Sequence, residues 1–287
     1  MRLAFLGTPE AAVGPLEALI AAGHDVAIVV SQPDRKRGRG AKLESSPVKA
    51  AALQRAIRVT DRVDDVVDAG VELGVVVAFG KLIKAHVLDA VPMVNLHFSL
   101  LPRWRGAAPV ERALLAGDRE TGVCLMALDP GLDTGPVYAT VRTPIGETES
   151  ADDLRSRLVD LGTRLLIEQL AAGLGVPVAQ EGEATYAAKL DPSERSLDFT
   201  KAAVEVHRTV RLGRAWTTFR GERLQIVEAR PLDQGPGVGT IEGLVIGCGG
   251  GSGLELLTVK PAGRGEQAAT AWQHGNRPQA GETVGGS

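Results

Sequence analysis

An asparagine and a histidine two residues apart are the first side chains in this sequence that could perform chemistry. Asn95 and His97 lie in the apolar run 94–98, which predicts a β-strand. Because side chains alternate along a strand, both point to the same face. Ligands of open α/β sheets bind beyond the carboxyl ends of the strands. The pattern therefore places an amide and an imidazole together at a pocket, followed by a loop that Pro102 and Gly106 shape.

An aspartate in a glycine-rich loop is the second candidate. Asp133 lies in the stretch Asp129-Pro130-Gly131-Leu132-Asp133-Thr134-Gly135, which follows the apolar run 123–128. Two glycines and a proline shape such a loop and present the carboxylate. A carboxylate near His97 would stabilise the protonated imidazole and fix its tautomer. No metal is expected, because metal-ligand spacing is missing around the other histidines, which are His24, His86, His207 and His274.

A basic segment is the third feature that could bind a ligand. Five cations occur within eight residues, without an acid among them: Arg35, Lys36, Arg37, Arg39 and Lys42. Such a run is usually a solvated loop. It follows the second predicted strand, so we expect it at the carboxyl edge of the sheet. A mobile cationic loop at that edge can contact nucleic-acid phosphates.

The elements that must position these residues are predicted by short apolar runs that alternate with helical patterns. Such runs are typical of a mostly parallel sheet that is buried on both faces. The predicted strands are 3–6, 26–30, 75–79, 94–98 and 123–128. Helices are predicted over 11–22 and 150–173, with Ser150 as the cap of the second. Residues 1–180 are thus predicted to form an α/β domain with a mostly parallel sheet.

The pattern changes near residue 180. Residues 181–200 are polar, lack sustained periodicity and are predicted to be a linker. A helix over 201–212 then precedes short strands with glycine-rich turns, at 216–219, 224–229, 239–246 and 254–260. Residues 201–287 are therefore predicted to form a smaller, β-rich and barrel-like domain.

The composition restricts where the protein works and what it binds. The net charge of −3 argues against a generally basic nucleic-acid binder, so a polyanion would have to contact a local basic patch. The two cysteines are far apart and predict a reducing compartment. The N-terminus does not resemble a signal peptide, and no run approaches the roughly 18 apolar residues of a membrane span. We therefore expect a cytoplasmic protein that does not bind membranes.

Taken in order, these motifs resemble the folate-dependent formyltransferases, and among them the members that act on methionyl-tRNA. The family's Asn-x-His is matched by Asn95 and His97, and its aspartate in Leu-Asp-Thr-Gly is matched by Asp133. The resemblance is dense through residue 140 and extends thinly to about residue 260. Further matches are Gly7-Thr8-Pro9, Gln32-Pro33-Asp34-Arg35, Gly38-Arg39-Gly40, Ser46-Pro47-Val48-Lys49 and Ser99-Leu100-Leu101-Pro102.

The resemblance implies a reaction, two partners and a set of site residues. It implies a Rossmann-like catalytic domain, an OB-like tRNA-binding domain, and formyl transfer from 10-formyltetrahydrofolate to initiator methionyl-tRNA by a monomer. Asn95, His97 and Asp133 would be catalytic. The folate cosubstrate would be bound by Gly80, Leu82, Ile83, Ser99, Leu100, Leu101 and Pro102. The tRNA would be bound by Arg35, Lys36, Arg37, Arg39 and Lys42, with Arg39 as the key position.

The three catalytic candidates suit that reaction. Formyl transfer passes through a tetrahedral carbon that bears an oxyanion, and the Asn95 amide can donate a hydrogen bond to it. The attacking amine loses a proton and the departing folate nitrogen gains one, which His97 can carry near neutral pH. Asp133 would orient His97.

The sequence departs from the family at Phe98, at Lys84 and in the shortened turn 212–215. Separately, the residues leave alternatives to the tRNA reaction open. The same catalytic set serves enzymes that formylate an amino-sugar nucleotide or glycinamide ribonucleotide, and a hydrolase that sends the formyl group to water. The glycinamide type lacks a second domain, and neither the sugar enzyme nor the hydrolase needs the basic segment. An RNA-binding protein with an inert α/β domain is disfavoured by the intact Asn95, His97 and Asp133.

Overall fold

The computed structural model describes residues 1–37 and 42–285 of the chain. The chain divides into two compact units. The first comprises Met1–Pro109, Glu120–Pro144 and Arg155–Ala188, and the second comprises Val110–Arg119, Ile145–Leu154 and Lys189–Ser287. The boundaries predicted from the sequence, 1–180, 181–200 and 201–287, stay predictions. In the described residues, no helix is both long and apolar enough to span a membrane.

The first part of the chain alternates strands and helices. Its strands are β1 (Arg2–Gly7), β2 (Asp25–Val30), β3 (Arg35–Arg37), β4 (Lys42–Glu44), β5 (Arg58–Thr60), β6 (Leu73–Val77), β7 (Met93–His97), β8 (Arg105–Gly106), β9 (Glu120–Ala127), β10 (Val137–Pro144) and β11 (Tyr186–Ala187). Its α-helices are α1 (Val13–Ala21), α2 (Pro47–Gln54), α3 (Ala85–Ala90), α4 (Pro109–Ala116) and α5 (Ala151–Ala172), and 3-10 helices cover Glu10–Ala12 and Val63–Ala69.

A seven-stranded sheet forms the centre of the first unit, in the order β10-β9-β7-β6-β1-β2-β5. Strands β5, β2, β1, β6 and β7 are parallel. Strand β9 is antiparallel to β7, and β10 is antiparallel to β9. All residues of β6 and β7 are buried, because central parallel strands are covered on both faces. The predicted Rossmann-like, mostly parallel sheet is confirmed.

Two element boundaries differ from the sequence prediction for conformational reasons. The strand predicted at 75–79 ends at Val77, because Ala78 has a φ of 48° and leaves the extended region. The strand predicted at 239–246 is a hairpin, since Gly243 turns the chain with a φ of 62°. The long predicted helix is confirmed as α5, and the Asp153 backbone N–H donates to Ser150 Oγ at 3.1 Å.

The second unit contains an antiparallel sheet and two further helices. The helices are α6 (Ala203–Arg211) and α7 (Ala269–Asn276), and a 3-10 helix covers Pro192–Arg195. The strands are β12 (Ala215–Phe219), β13 (Glu222–Leu232), β14 (Thr240–Glu242), β15 (Val245–Gly247), β16 (Gly253–Pro261), β17 (Gln267–Ala268) and β18 (Glu282–Thr283). They pair in the order β12-β13-β16-β15-β14-β18, with β17 beside β16. The predicted β-rich, barrel-like domain is confirmed as a half-barrel.

A buried histidine makes the stability of the second unit depend on pH. His207 lies on α6, and burial, followed by the charge of Arg211, holds the pKa of its imidazole below the ordinary value of 6.5. Below about pH 6.5 the unfolded chain therefore binds a proton that the native state resists, and the free energy of unfolding falls as the pH falls toward the native pKa. We expect the His207→Gln variant to lose less thermal stability than the wild type between pH 7.5 and 5.5. Calorimetry at both pH values measures this, and an unchanged pH dependence would contradict it.

Candidate active site

The carboxyl ends of three parallel strands are joined by hydrogen bonds beside the predicted site. Thr8 follows β1, Gln32 follows β2 and Phe79 follows β6. The Phe79 carbonyl oxygen accepts from Thr8 Oγ1 at 3.5 Å and from Gln32 Nε2 at 3.2 Å. The Gln32 backbone N–H lies 3.4 Å from Thr8 Oγ1. Polar contacts of 3.2 to 3.5 Å therefore connect these strand ends, at the edge of the sheet where α/β proteins bind ligands.

Asn95 and His97 lie on β7, and they are only 9% and 5% exposed. In the antiparallel register, Asn95 is opposite Met126 and His97 is opposite Cys124 on β9. Within the described residues, the Asn95 side-chain amide makes no hydrogen bond, and the single fully buried side-chain atom without a partner is Thr217 Oγ1 in the second unit. The Asn95 amide is therefore largely shielded from water yet available to a ligand.

The contacts of His97 determine which of its nitrogens can exchange a proton. Nε2 lies 2.9 Å from the Trp104 carbonyl oxygen, and Nδ1 lies 3.6 Å from Asp133 Oδ2. Because a carbonyl oxygen can only accept, Nε2 carries the proton of the neutral ring. A further proton can be bound only at Nδ1. There the carboxylate would stabilise the imidazolium by its charge, since 3.6 Å is too long for a hydrogen bond.

The aspartate loop is closely fitted to the loop that follows β7. Asp133 has a φ of 51°, and its Oδ2 accepts a hydrogen bond of 2.7 Å from the Gly106 backbone N–H. Gly135 is required in this loop, because a Cβ at this position would overlap the Ala127 carbonyl oxygen. The structure thus brings together the three residues that the sequence predicts to be catalytic.

The chain between β7 and β8 is held by polar contacts that orient the Trp104 carbonyl. Ser99, which is fully buried, donates from its Oγ to the Arg103 carbonyl oxygen at 2.5 Å. The Arg103 guanidinium lies 4.4 Å from the centre of the Trp104 ring. The Trp104 backbone N–H donates to Thr185 Oγ1 at 2.9 Å. The peptide between Arg103 and Trp104, which precedes the carbonyl that fixes the His97 tautomer, is therefore held by hydrogen bonds at both its oxygen and its nitrogen.

Sequence reasoning missed the segment that supports both loops. Gln180 Nε2 donates to the carbonyl oxygens of Asp133 and Gly135 at 2.8 Å each, and Gln180 Oε1 accepts from Arg105. Strand β11 pairs in parallel with β8. The sequence offers no local signal for these contacts, because Gln180 lies 47 residues from Asp133.

The residues predicted to bind folate lie after β6 and after β7. Gly80 has a φ of 72°, and a Cβ built on it would meet no described atom within 4 Å beyond its chain neighbours. The Leu82 side chain is exposed, and the Ile83 side chain is buried. An exposed apolar side chain beside bare backbone can cover a flat aromatic ring. Of the second group, Leu100, Leu101 and Pro102 are half-buried, whereas the Ser99 hydroxyl is used within its own loop.

The basic segment is a two-stranded hairpin at its base. Strands β3 and β4 pair antiparallel, and polar contacts join the residues that precede β3 to those that follow β4. Lys49 Nζ donates to both carboxylate oxygens of Asp34 at 2.9 Å, and the Ser31 and Ser46 hydroxyls form a buried hydrogen bond of 2.6 Å. Of the residues predicted to bind tRNA, the backbones of Arg35, Lys36, Arg37 and Lys42 lie in these strands, and Arg39 lies outside the described residues.

The cysteine thiols are unsuited to covalent catalysis. Burial raises the pKa of the Cys248 thiol to about 11, and burial also raises the pKa of the Cys124 thiol. Both side chains are buried, so neither presents a thiolate to a substrate. In residues 1–37 and 42–285, no group of three or more histidine, cysteine or acidic side chains is arranged to hold a metal ion.

Known proteins resemble this chain along nearly its whole length. The family described as formyl transferase matches residues 1–170, and the one described as formyl transferase, C-terminal domain, matches residues 189–277. The methionyl-tRNA formyltransferase of Ruegeria pomeroyi is 42% identical over 96% of this chain and 97% of its own. That of Thermus thermophilus is 45% identical over 96% of each chain.

A solved structure agrees with the fold. The N-formyltransferase from Helicobacter canadensis, in complex with folinic acid and dTDP-3-aminofucose, superposes with a TM-score of 0.69. The alignment covers 88% of this chain and 98% of that one at 19% identity. Similarity at this level supports the two-part architecture.

Proposed function

The chain belongs to the formyl transferase family, and from this premise we propose that it transfers a formyl group from 10-formyltetrahydrofolate to the amino group of initiator methionyl-tRNA. The observation that carries the chemistry is the arrangement at the end of β7, where the Asn95 amide has no partner among the described residues and His97 faces Asp133. The acceptor is inferred from relatives that are named for it and cover almost the entire chain.

The Asn95 amide is suited to stabilise negative charge on the formyl oxygen. The folate cosubstrate supplies the formyl carbon, and Gly80, Leu82 and Ile83 are the residues proposed to hold its rings, with Leu100, Leu101 and Pro102 on the other loop. The amine attacks the formyl carbon and the bond from that carbon to the folate nitrogen breaks. The hydrogen bond from this nearly buried N–H becomes stronger as the formyl oxygen gains negative charge, because little water competes for that oxygen.

His97 is proposed to carry the proton that this exchange requires. The attacking amine loses a proton, which Nδ1 of His97 accepts, and the folate nitrogen gains one as it departs. The Trp104 carbonyl holds the other ring nitrogen, so the imidazole is presented in a single tautomer. The Asp133 carboxylate compensates the positive charge on the ring while the proton is bound.

The basic hairpin is proposed to contact phosphates of the tRNA acceptor end. Replacing Arg35, Lys36, Arg37 and Lys42 with glutamine removes four cations while leaving the anchor formed by Asp34 and Lys49. We expect the KM for tRNA to rise and its dependence on salt to become shallower, by about one unit of log–log slope for each phosphate that is no longer neutralised. The KM for folate should be unchanged. Steady-state kinetics from 50 to 200 mM salt measures both.

A matched control for this prediction removes the charge of exposed arginines elsewhere. The four changes Arg2→Gln, Arg55→Gln, Arg58→Gln and Arg142→Gln remove four cations that form surface ion pairs with Asp25, Glu17, Asp65 and Glu120. An equal effect of the control on the KM for tRNA would mean that net charge alone, rather than the hairpin, attracts the tRNA.

The acceptor is tested by offering each candidate separately with 10-formyltetrahydrofolate. The candidates are initiator methionyl-tRNA, an amino-sugar nucleotide, glycinamide ribonucleotide and water alone. Consumption of the donor with methionyl-tRNA only is the expected result. Consumption without an amine would identify a hydrolase, and a preference for either small acceptor would replace the tRNA in the proposal.

We further propose that residues 201–287 contribute to tRNA binding and that the protein is a cytoplasmic monomer. Two free, buried cysteines are compatible with a reducing compartment. Gel filtration of the purified chain at micromolar concentration tests the monomer.

A further inference from the structure

Gln180 has every hydrogen-bonding group of its side chain occupied. Its two amide hydrogens go to the carbonyl oxygens of Asp133 and Gly135, each at 2.8 Å. Its oxygen accepts from Nε of Arg105 at 3.0 Å and from Nη2 of Arg105 at 2.6 Å. This set of partners fixes the orientation of the amide, because a flipped amide would place donors against donors and oxygen against oxygen.

These bonds connect two sides of the site that the chain itself leaves separate. Arg105 and Gly106 form β8, in the loop that follows β7, whereas Asp133 lies in the loop between β9 and β10. The Gly106 backbone N–H holds the Asp133 carboxylate at 2.7 Å, and Gln180 holds the Asp133 main chain from the other end. The carboxylate and the backbone of Asp133 are therefore both held relative to β8.

Asp133 needs such support because its backbone is in an unfavourable conformation. Its φ of 51° lies in the left-handed region, which residues other than glycine seldom adopt. Conformations of this kind persist where surrounding contacts determine them. Gln180 is the side chain that bonds the Asp133 carbonyl oxygen directly, and Gly135, the other residue it holds, ends the same tight loop.

We propose that Gln180 is a positioning residue for the formyl-transfer reaction: through the main chain of Asp133 it sets the distance between the Asp133 carboxylate and Nδ1 of His97. This inference rests on the proposed function for its kinetic consequence. Gln180 acts on the reacting groups through Asp133, and the contact that it regulates spans 3.6 Å.

The Gln180→Glu substitution separates the two halves of this side chain. A glutamate keeps the size and keeps an acceptor for Arg105, but it places an oxygen against the two carbonyl oxygens that the amide bonds. We expect kcat to fall roughly 10- to 100-fold, because small misplacements of a catalytic group have effects of that size. The KM values for both substrates should change little. The Gln180→Met substitution keeps a similar volume but can neither donate to the two carbonyl oxygens nor accept from Arg105. It provides a second variant if Gln180→Glu does not fold.

Two further measurements separate positioning from a general structural role. In an Asp133→Asn background, Gln180→Glu should lower kcat little further, because the effects of substituting residues that act through one another do not add. Without any substrate, amide hydrogen exchange in the segment 129–136 should be faster in Gln180→Glu than in the wild type, while exchange in β1 and β2 is unchanged.

The outcomes are decisive in both directions. Wild-type kcat in Gln180→Glu and Gln180→Met, losses that add in full to those of Asp133→Asn, or unchanged exchange in 129–136 would each overturn the proposal. If the wild type does not formylate methionyl-tRNA, the proposed function fails by itself, and the exchange measurement still decides whether Gln180 holds the Asp133 loop.

Discussion

Replacing His97 with alanine is expected to lower kcat for formyl transfer by roughly 10²- to 10⁴-fold, the usual contribution of a general acid–base group. The substitution removes the ring nitrogen that can take a proton beside Asp133, since the other ring nitrogen is committed to the Trp104 carbonyl. The neighbours on β7 are buried by the sheet and need no imidazole. The fold and the KM for folate should therefore be preserved.

The pH profile and a matched histidine make this prediction specific. The kcat/KM of His97→Ala should lose the pH dependence that a general acid–base group is expected to give the wild type. His24 precedes β2, at the amino-terminal end of the parallel strands, and His24→Ala should retain wild-type kcat. Equal losses in the two variants would show that His97 contributes to stability and not to proton transfer.

Replacing Asn95 with aspartate is expected to lower kcat by roughly 10²- to 10³-fold, as found when an oxyanion donor is removed. The side chain keeps its shape, but a carboxylate offers no N–H to the formyl oxygen and adds a negative charge where charge develops. Because the Asn95 amide bonds no other described residue, the change breaks no hydrogen bond within that part of the protein. Because a carboxylate shielded from water also destabilises the fold, kcat is compared at a temperature at which both proteins are folded.

The other asparagine of the chain supplies the control. The Asn276 Nδ2 donates to the Trp272 carbonyl oxygen at the end of α7. Asn276→Asp removes that bond and should reduce thermal stability while kcat at saturating substrates is retained. If Asn95→Asp instead keeps wild-type kcat, the formyl oxygen is stabilised by another group.

The sequence was informative about those parts of the site that short segments encode. Asn95 and His97 are two residues apart on one strand, so the alternation of a strand is enough to place them together. Asp133 lies in a loop whose glycines limit its shape, and Gly135 leaves no space for a Cβ. The parallel sheet follows from buried runs such as β6 and β7, which are apolar except at the site itself.

The remaining features depend on contacts between distant segments and on backbone geometry. Thr185 lies 81 residues from Trp104, and Gln180 lies 75 residues from Arg105. Residues 181–200 are polar and aperiodic, and the sequence predicts a linker there. Thr185 within this range and Gln180 just before it nevertheless make hydrogen bonds to the loops around His97. The tautomer of His97 depends on a carbonyl group, and every residue has one, so the sequence carries no signal for it.

The most direct test of the account is to follow a labelled formyl group from 10-formyltetrahydrofolate to initiator methionyl-tRNA. The purified wild type should transfer the label to the methionine amino group, detected as formyl-methionyl-tRNA on an acid gel. The His97→Ala variant should form product at least roughly a hundredfold more slowly. Label that leaves the folate without appearing on the tRNA, or equal rates for the two proteins, would contradict the central claim.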